Sequence, residues 1–293
     1  MPRIPRGRFG GCLPRQTKFG QGPFRPWGTD GTTPVFDSEM IQLVIDNNKA
    51  EGLHNCHWWT PDQNGTNGCT TGMTVNGMTV LREKEGKPRV KFAMSSLYQW
   101  AGITINEDGS YTLHPRRSDN GMELETALLI AQLQGIAPAE IDGEPYIDDL
   151  DWQGGHKGRW PGDWQKRASR CRFSTEVWDM LNSLHVLTGV MLGNLCGRGQ
   201  DVHAVLQIDP RLVLGSYGED YGETGPGEVG GCHKWGNLLT ASGRRAVDAG
   251  IEDYGAFCFR ATLPEDAPPS EGLVSEEVRD RVRFFRRRRF GRR

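Results

Sequence analysis

The chain has 293 residues, 36% of them hydrophobic, with 39 glycines, 17 prolines and a formal net charge of −2. That length suffices for one large core or two packed lobes, and the composition is that of a loop-rich globular protein without a repeat period or heptads. No apolar run is long enough to span a bilayer, and the basic N-terminus is not followed by the apolar stretch of a secretory signal.

The small net charge hides an asymmetry. Residues 1–30 carry six Lys or Arg against one acid, and residues 279–293 carry nine Arg against one Asp. The middle is therefore acidic, at about −15, and is flanked by two basic arms. Seven cysteines fall at 12, 56, 69, 171, 196, 232 and 258, an odd number with no CxxC or CxxH pair. This pattern predicts reduced thiols in a cytoplasmic or virion-associated setting, and neither a metal nor a cofactor.

In chain order, residues 1–34 form a Gly-, Pro- and Arg-rich arm without periodicity. A globular domain spans 35–264, starting near "SEMIQLVIDNN", and 265–293 form a Pro-containing linker and an Arg-rich tail. Within the domain, apolar spacing of three and four predicts a helix over 90–101 ("VKFAMSSLYQWA"). A second is predicted over 121–135 ("GMELETALLIAQLQG"), with Asp119 or Asn120 as N-cap and Gly135 closing it. "STEVWDMLNSL" (174–184) predicts a third, capped by Ser174. The pattern then changes to short β-like runs, "VLTGVMLG", "HAVLQI", "RLVLGS" and "GAFCFRATL", separated by Gly, Pro and Asp. Helices first and strands later predict an α+β fold.

The tail "SEEVRDRVRFFRRRRFGRR" can begin as a helix capped by Ser275, with Glu276 and Glu277 at its positive end. Arg286, Arg287, Arg288, Arg289, Arg292 and Arg293 then either neutralise nucleic acid or another polyanion, or settle on the chain's own acidic surface.

The segment most suggestive of chemistry is "DQNGTNGCTTG", residues 62–72. A cysteine nucleophile needs a base to take its proton, because the thiolate is the reactive form, and donors aimed at the developing oxyanion. The Gln63 side-chain amide and the Cys69 backbone N–H are candidate donors. The following "TTGMTVNGMTVLRE" would give Cys69 a helix N-terminus, although Gly72 and Gly77 weaken that helix in isolation. The plainer alternative is that Cys69 is a packed, inert thiol. His54, Cys56 and His57 in "LHNCHWW" lie too close together for a metal site without a distant partner motif. Cys232 and His233, adjacent on a β-like run, point to opposite faces.

Gln63, five residues, then Cys69 resembles the oxyanion-glutamine and nucleophile spacing of papain-like cysteine peptidases. "SSLYQWAG", "DNGMELETALLIAQLQGIAP" and "TEVWDMLNSLHVLTGVMLGN" resemble later segments of that family, in order. "VHAVLQIDPRLVLGSYGEDYGETG" (202–225) resembles its histidine strand, hairpin and "NSWG-x-x-WG-x-x-G" block, with Tyr217 and Tyr221 in place of the two tryptophans. The resemblance covers about residues 55–260. It implies a two-lobed fold, with a helical lobe (about 60–150) packed on a β-barrel-like lobe (about 175–262) and a cleft between. It implies a Cys69 nucleophile, a Gln63 oxyanion donor and a His203 general base and acid, acting on a peptide or protein substrate. Two positions depart from the family: Gly215 stands where the orienting asparagine falls, and Thr66 where secreted relatives carry a disulfide cysteine. The Gly215 departure leaves open a different outcome, a catalytically degenerate papain-like structural or binding module, such as a virion or assembly component, with polyanion-binding arms. The same Cys–His chemistry also serves amide transfer in place of hydrolysis.

Overall fold

The computed structural model describes residues 12–13, 52, 55–106, 110–147, 160–173, 187–193, 202–209, 212–220, 232–233, 240–241, 257–259 and 262–266. The 174–184 helix, most of both arms, Tyr221 and the six tail arginines from Arg286 to Arg293 lie outside these residues.

Helix α1 runs Cys69–Lys84, and every residue from 69 to 82 is buried. Burial on all sides explains why its sequence shows no one-sided apolar stripe. Its threonines are accommodated by bonding back to the helix: the Thr71, Thr74 and Thr79 hydroxyls donate to the carbonyls of Gly68, Thr70 and Val75 at 2.7, 2.7 and 3.0 Å. Arg82 and Lys84 sit in the last turn, where the helix dipole favours cations.

The stretch 90–101 is not one helix. Only α2, Ser95–Tyr98, is helical, and Trp100 already begins a hairpin of β2 (Trp100–Ile105) and β3 (Tyr111–Pro115). The cause is lateral pairing: Ala93 N–H donates to the Ala137 carbonyl and Ala139 N–H to that of Lys91, which holds 91–93 extended against 137–139. The second expected helix is shorter than its pattern. Met122–Glu123 form strand β4, and α3 spans Leu124–Leu133. Its N-cap is Glu123, without a side-chain cap bond. Asp119 is instead engaged by Asn67, whose N–H donates to its Oδ1 at 2.9 Å, and by the Tyr98 hydroxyl. Gly135 does follow the helix with φ +88°, and a Cβ there would lie 1.9 Å from the Ala168 carbonyl oxygen. Both the left-handed backbone and the close approach require glycine.

Two short strands, β5 (Glu140–Ile141) and β6 (Glu144–Pro145), and helix α4 (Trp164–Ala168) complete this part. β1 (Cys12–Leu13) pairs in parallel with β4.

The later strands are β7 (Leu187–Gly193), β8 (Val202–Asp209), β9 (Leu212–Leu214), β10 (Cys232–His233) and β11 (Phe257–Phe259). They form one antiparallel sheet in the order β10-β9-β8-β7-β11. The fold is thus α+β, with helices and small sheets. The barrel-like closure expected of the β part is not found among the described residues, where the sheet ends in edge strands of two and three residues. α1 packs against β8 and α3, and its residues share one core with Leu97, Met122, Ile130, Leu206 and Leu214. No helix among the described residues is long and apolar enough to cross a membrane.

Candidate active site

Cys69 is the first residue of α1 and is fully buried, at 0% exposure. The loop before it is fixed at both ends. Thr66 N–H and its hydroxyl donate to the Gln63 carbonyl, at 2.9 and 2.6 Å, closing a tight turn through Asn64 and Gly65, both with positive φ. Asn67 bonds Asp119 through its backbone N–H and its side chain (Nδ2 to the Asp119 carbonyl, 2.7 Å). Arg116 buttresses that anchor, donating to the carbonyls of Tyr98, Gly121 and Trp100 at 2.6, 2.5 and 2.9 Å with its guanidinium over the Tyr98 ring. Burial, and then the bond to Asp119, keep the Tyr98 phenol protonated well above its ordinary range.

Gln63 is likewise buried. Its Nε2 donates to the Thr66 carbonyl at 2.8 Å, and its Oε1 accepts the Ser216 hydroxyl at 2.6 Å. A primary amide carries two N–H donors, so one of them is accounted for by Thr66. The backbone continues the link: Gln63 N–H donates to the Ser216 carbonyl at 2.8 Å, Gly218 N–H donates to the Pro61 carbonyl at 3.0 Å, and Asp62 bridges Tyr217. Residues 61–63 therefore pair with 216–218, more than 150 positions along the chain.

α1 meets the same segment. Gly72, one turn from Cys69, faces Ser216 so closely that a Cβ would lie 2.3 Å from the Ser216 Cβ. Asn76 donates its Nδ2 to the Gly215 carbonyl at 2.8 Å. Residues 69, 72 and 76 fall on one face of the helix, and the 215–216 turn seats on it.

His203 is the second residue of β8 and is buried, at 1% exposure. The Tyr217 ring stacks on it, with centroids 4.6 Å apart and planes at 12°, and the Tyr217 hydroxyl lies 3.1 Å from His203 Nδ1. Tyr217, which stands in place of a family tryptophan, therefore meets the histidine with its hydroxyl as well as its ring. The structure thus joins the Gln63 loop, the start of α1 and the 215–218 segment, and His203 is linked to them through Tyr217. Gly215 offers no side chain to the histidine and spends its carbonyl on Asn76. Asn76, Ser216 and Asp119 were not foreseen as parts of this arrangement. Nothing in their local patterns marks them, because each acts through a partner distant in sequence.

Among the described residues, no group of three or more His, Cys, Asp or Glu is arranged to hold a metal. His54 lies outside the described residues. Cys56 donates to the Gly52 carbonyl and His57 lies against the Thr60 hydroxyl, so neither is turned toward a shared ligand. The side chains of Cys232 and His233, paired with β9, are likewise outside the description. A cavity of about 510 Å³ lies elsewhere, lined by Trp58, Arg82, Arg89, Arg167, Cys171 and Glu265 among others, and includes neither Cys69 nor His203.

The fold is similar to that of xylellain, a cysteine protease from Xylella fastidiosa, with a TM-score of 0.53 and 12% sequence identity, covering 89% of this chain and 100% of that one. At that identity the likeness is one of fold. No family model matches the chain, and no curated protein matches it.

Proposed function

We propose that this protein is a papain-like cysteine peptidase in which Cys69 is the nucleophile, His203 the general base and acid, and Gln63 an oxyanion donor. The observation that carries the reading is the pairing of 61–63 with 216–218. It ties the turn leading into Cys69 to the segment whose tyrosine stacks on His203. Two lobes then meet along this seam, and an extended peptide enters between them.

Cys69 gives its proton to His203, and the thiolate at the positive end of α1 attacks an amide carbonyl. The carbonyl oxygen takes up the displaced electron pair and is held by the second Gln63 N–H and the Cys69 backbone N–H. The tetrahedral adduct collapses, the C–N bond breaks, and the imidazolium protonates the departing amine. The neutral ring then takes a proton from water, whose oxygen attacks the thioester and releases the acid and the thiol. No cofactor enters this sequence.

The test is alkylation of the folded protein by limiting iodoacetamide at pH 5.5, located by mass spectrometry. Burial raises the Cys56 thiol and pushes that of Cys171 up to about 11, so both remain protonated and slow. Selective labelling of Cys69, lost in His203→Ala, is the expected result. Labelling of Cys69 that is no faster than that of Cys56 and Cys171, or that is indifferent to His203→Ala, returns Cys69 to a packed thiol and the protein to a binding or structural role.

A further inference from the structure

We propose that the Tyr217 hydroxyl positions the His203 imidazole, doing the work for which an asparagine at position 215 is missing. The inference rests on the catalytic reading above and extends it to a residue outside the Gln–Cys–His set.

The chain path places the tyrosine. The pairing of β8 with β9 ends at Leu206 and Leu214. Gly215 and Ser216 then seat on α1, and 216–218 pair with 61–63, which sets the Tyr217 ring on that of His203. The contact has two parts: an offset stack that fixes the plane of the imidazole, and the hydroxyl 3.1 Å from Nδ1 that fixes its rotation. A phenol at 217 can make both contacts at once. An indole there could stack, but it presents a donor N–H only.

The backbone of Tyr217 is itself held. Asp62 bridges it, and hydrogen bonds from Gln63 to Ser216 and from Gly218 to Pro61 close on either side. The tyrosine is therefore pinned to the loop that carries Gln63, and the histidine is pinned to the tyrosine.

The hydroxyl also suits a ring that changes charge. An asparagine carbonyl accepts only, and so holds a ring nitrogen that keeps its proton throughout. A hydroxyl oxygen can do the same, accepting from Nδ1–H both in the imidazolium and in the neutral tautomer whose Nε2 is unprotonated. Its oxygen accepting from the imidazolium is the stronger, charge-assisted form. Tyr217 thus stabilises the charged ring of the thiolate–imidazolium pair and still holds the neutral ring that activates water.

The experiment is the pH profile of Cys69 alkylation in the full-length protein, wild type against Tyr217→Phe, Tyr217→Trp and His203→Ala. Phenylalanine retains the stack and the backbone and removes only the hydroxyl. Both sides of the acid limb carry the imidazolium, so that limb reports the thiol and should stay in place. The alkaline inflection, where the pair loses the imidazolium proton, is expected to fall by about one unit in Tyr217→Phe. Tyr217→Trp should behave like Tyr217→Phe, while His203→Ala loses that inflection and moves the acid limb up toward the range of an ordinary thiol. A Tyr217→Phe profile that superimposes on wild type, with His203→Ala still making both changes, overturns the proposal and leaves the peptidase reading standing. A wild-type profile with neither feature overturns both. A purely structural role for the ring would change the amount of folded protein and leave the position of the inflection where it was.

Discussion

His57 Nε2 lies 2.8 Å from the Thr60 hydroxyl, and the ring is 1% exposed. Burial disfavours its charged form and lowers its pKa from 6.5 to about 4. Between those values the unfolded chain binds a proton at this residue and the folded chain does not. The stability that the neutral ring contributes is therefore complete above pH 6.5 and is lost as pH falls toward 4, on the order of 3 kcal/mol at the low end. Urea unfolding at pH 7.5 and 4.5 should show a larger loss in wild type than in His57→Gln. Equal losses would mean that other groups govern the acid limb of stability. At this scale Gln63, Cys69 and His203 stand out in the sequence by spacing and order, and their roles are those proposed above. The Tyr217 hydroxyl was not legible, because tyrosine for tryptophan reads as one aromatic for another until the structure shows which ring it stacks on.

Elements were legible where one physical cause dominates their pattern. The strand runs at 186–193, 203–208 and 211–216 emerge close to their expected bounds as β7, β8 and β9 because short β-rich runs bounded by turn residues have few alternatives. The 90–101 pattern misled because Phe92 and Leu97 are both buried, yet one in an extended bridge and the other in a helix, and apolar spacing reports burial without reporting which backbone pairs. α1 shows the converse. Its glycines argue against a helix in isolation, but Gly72 is where Ser216 packs, so the residue that weakens the local helix permits the tertiary contact. Gly72→Ala raises helix propensity and still should destabilise, by about 1–3 kcal/mol, since its methyl group overlaps Ser216. Gly72→Ala with Ser216→Gly should recover much of the loss. Chemical denaturation of the two variants decides it: a stabilised single variant would show that the 215–216 turn yields without cost.

At the scale of the whole molecule, the C-terminal end of the described fold lies away from the candidate chemistry. Residues 262–266 are clamped to the C-terminal end of α1. The Thr262 N–H donates to Glu85 at 2.7 Å, the Leu263 N–H to the Arg172 carbonyl at 2.8 Å, and Arg82 pairs with Glu265 at 2.9 Å. Cys69 occupies the other end of that 16-residue helix, roughly 24 Å away at 1.5 Å per residue. The chain that continues to the Arg-rich tail thus leaves the described fold far from the nucleophile. Deleting 279–293 is expected to leave the alkylation profile of Cys69 unchanged while weakening binding to a 30-base-pair DNA duplex. Each arginine that neutralises a phosphate adds about 0.9 to the slope of log K against log salt. The full chain should therefore show a slope several units steeper than the truncated one, and the difference in affinity should shrink as salt rises. Equal slopes would assign the arginines to the chain's own acidic surface. A changed Cys69 profile would mean that the tail reaches the active-site seam.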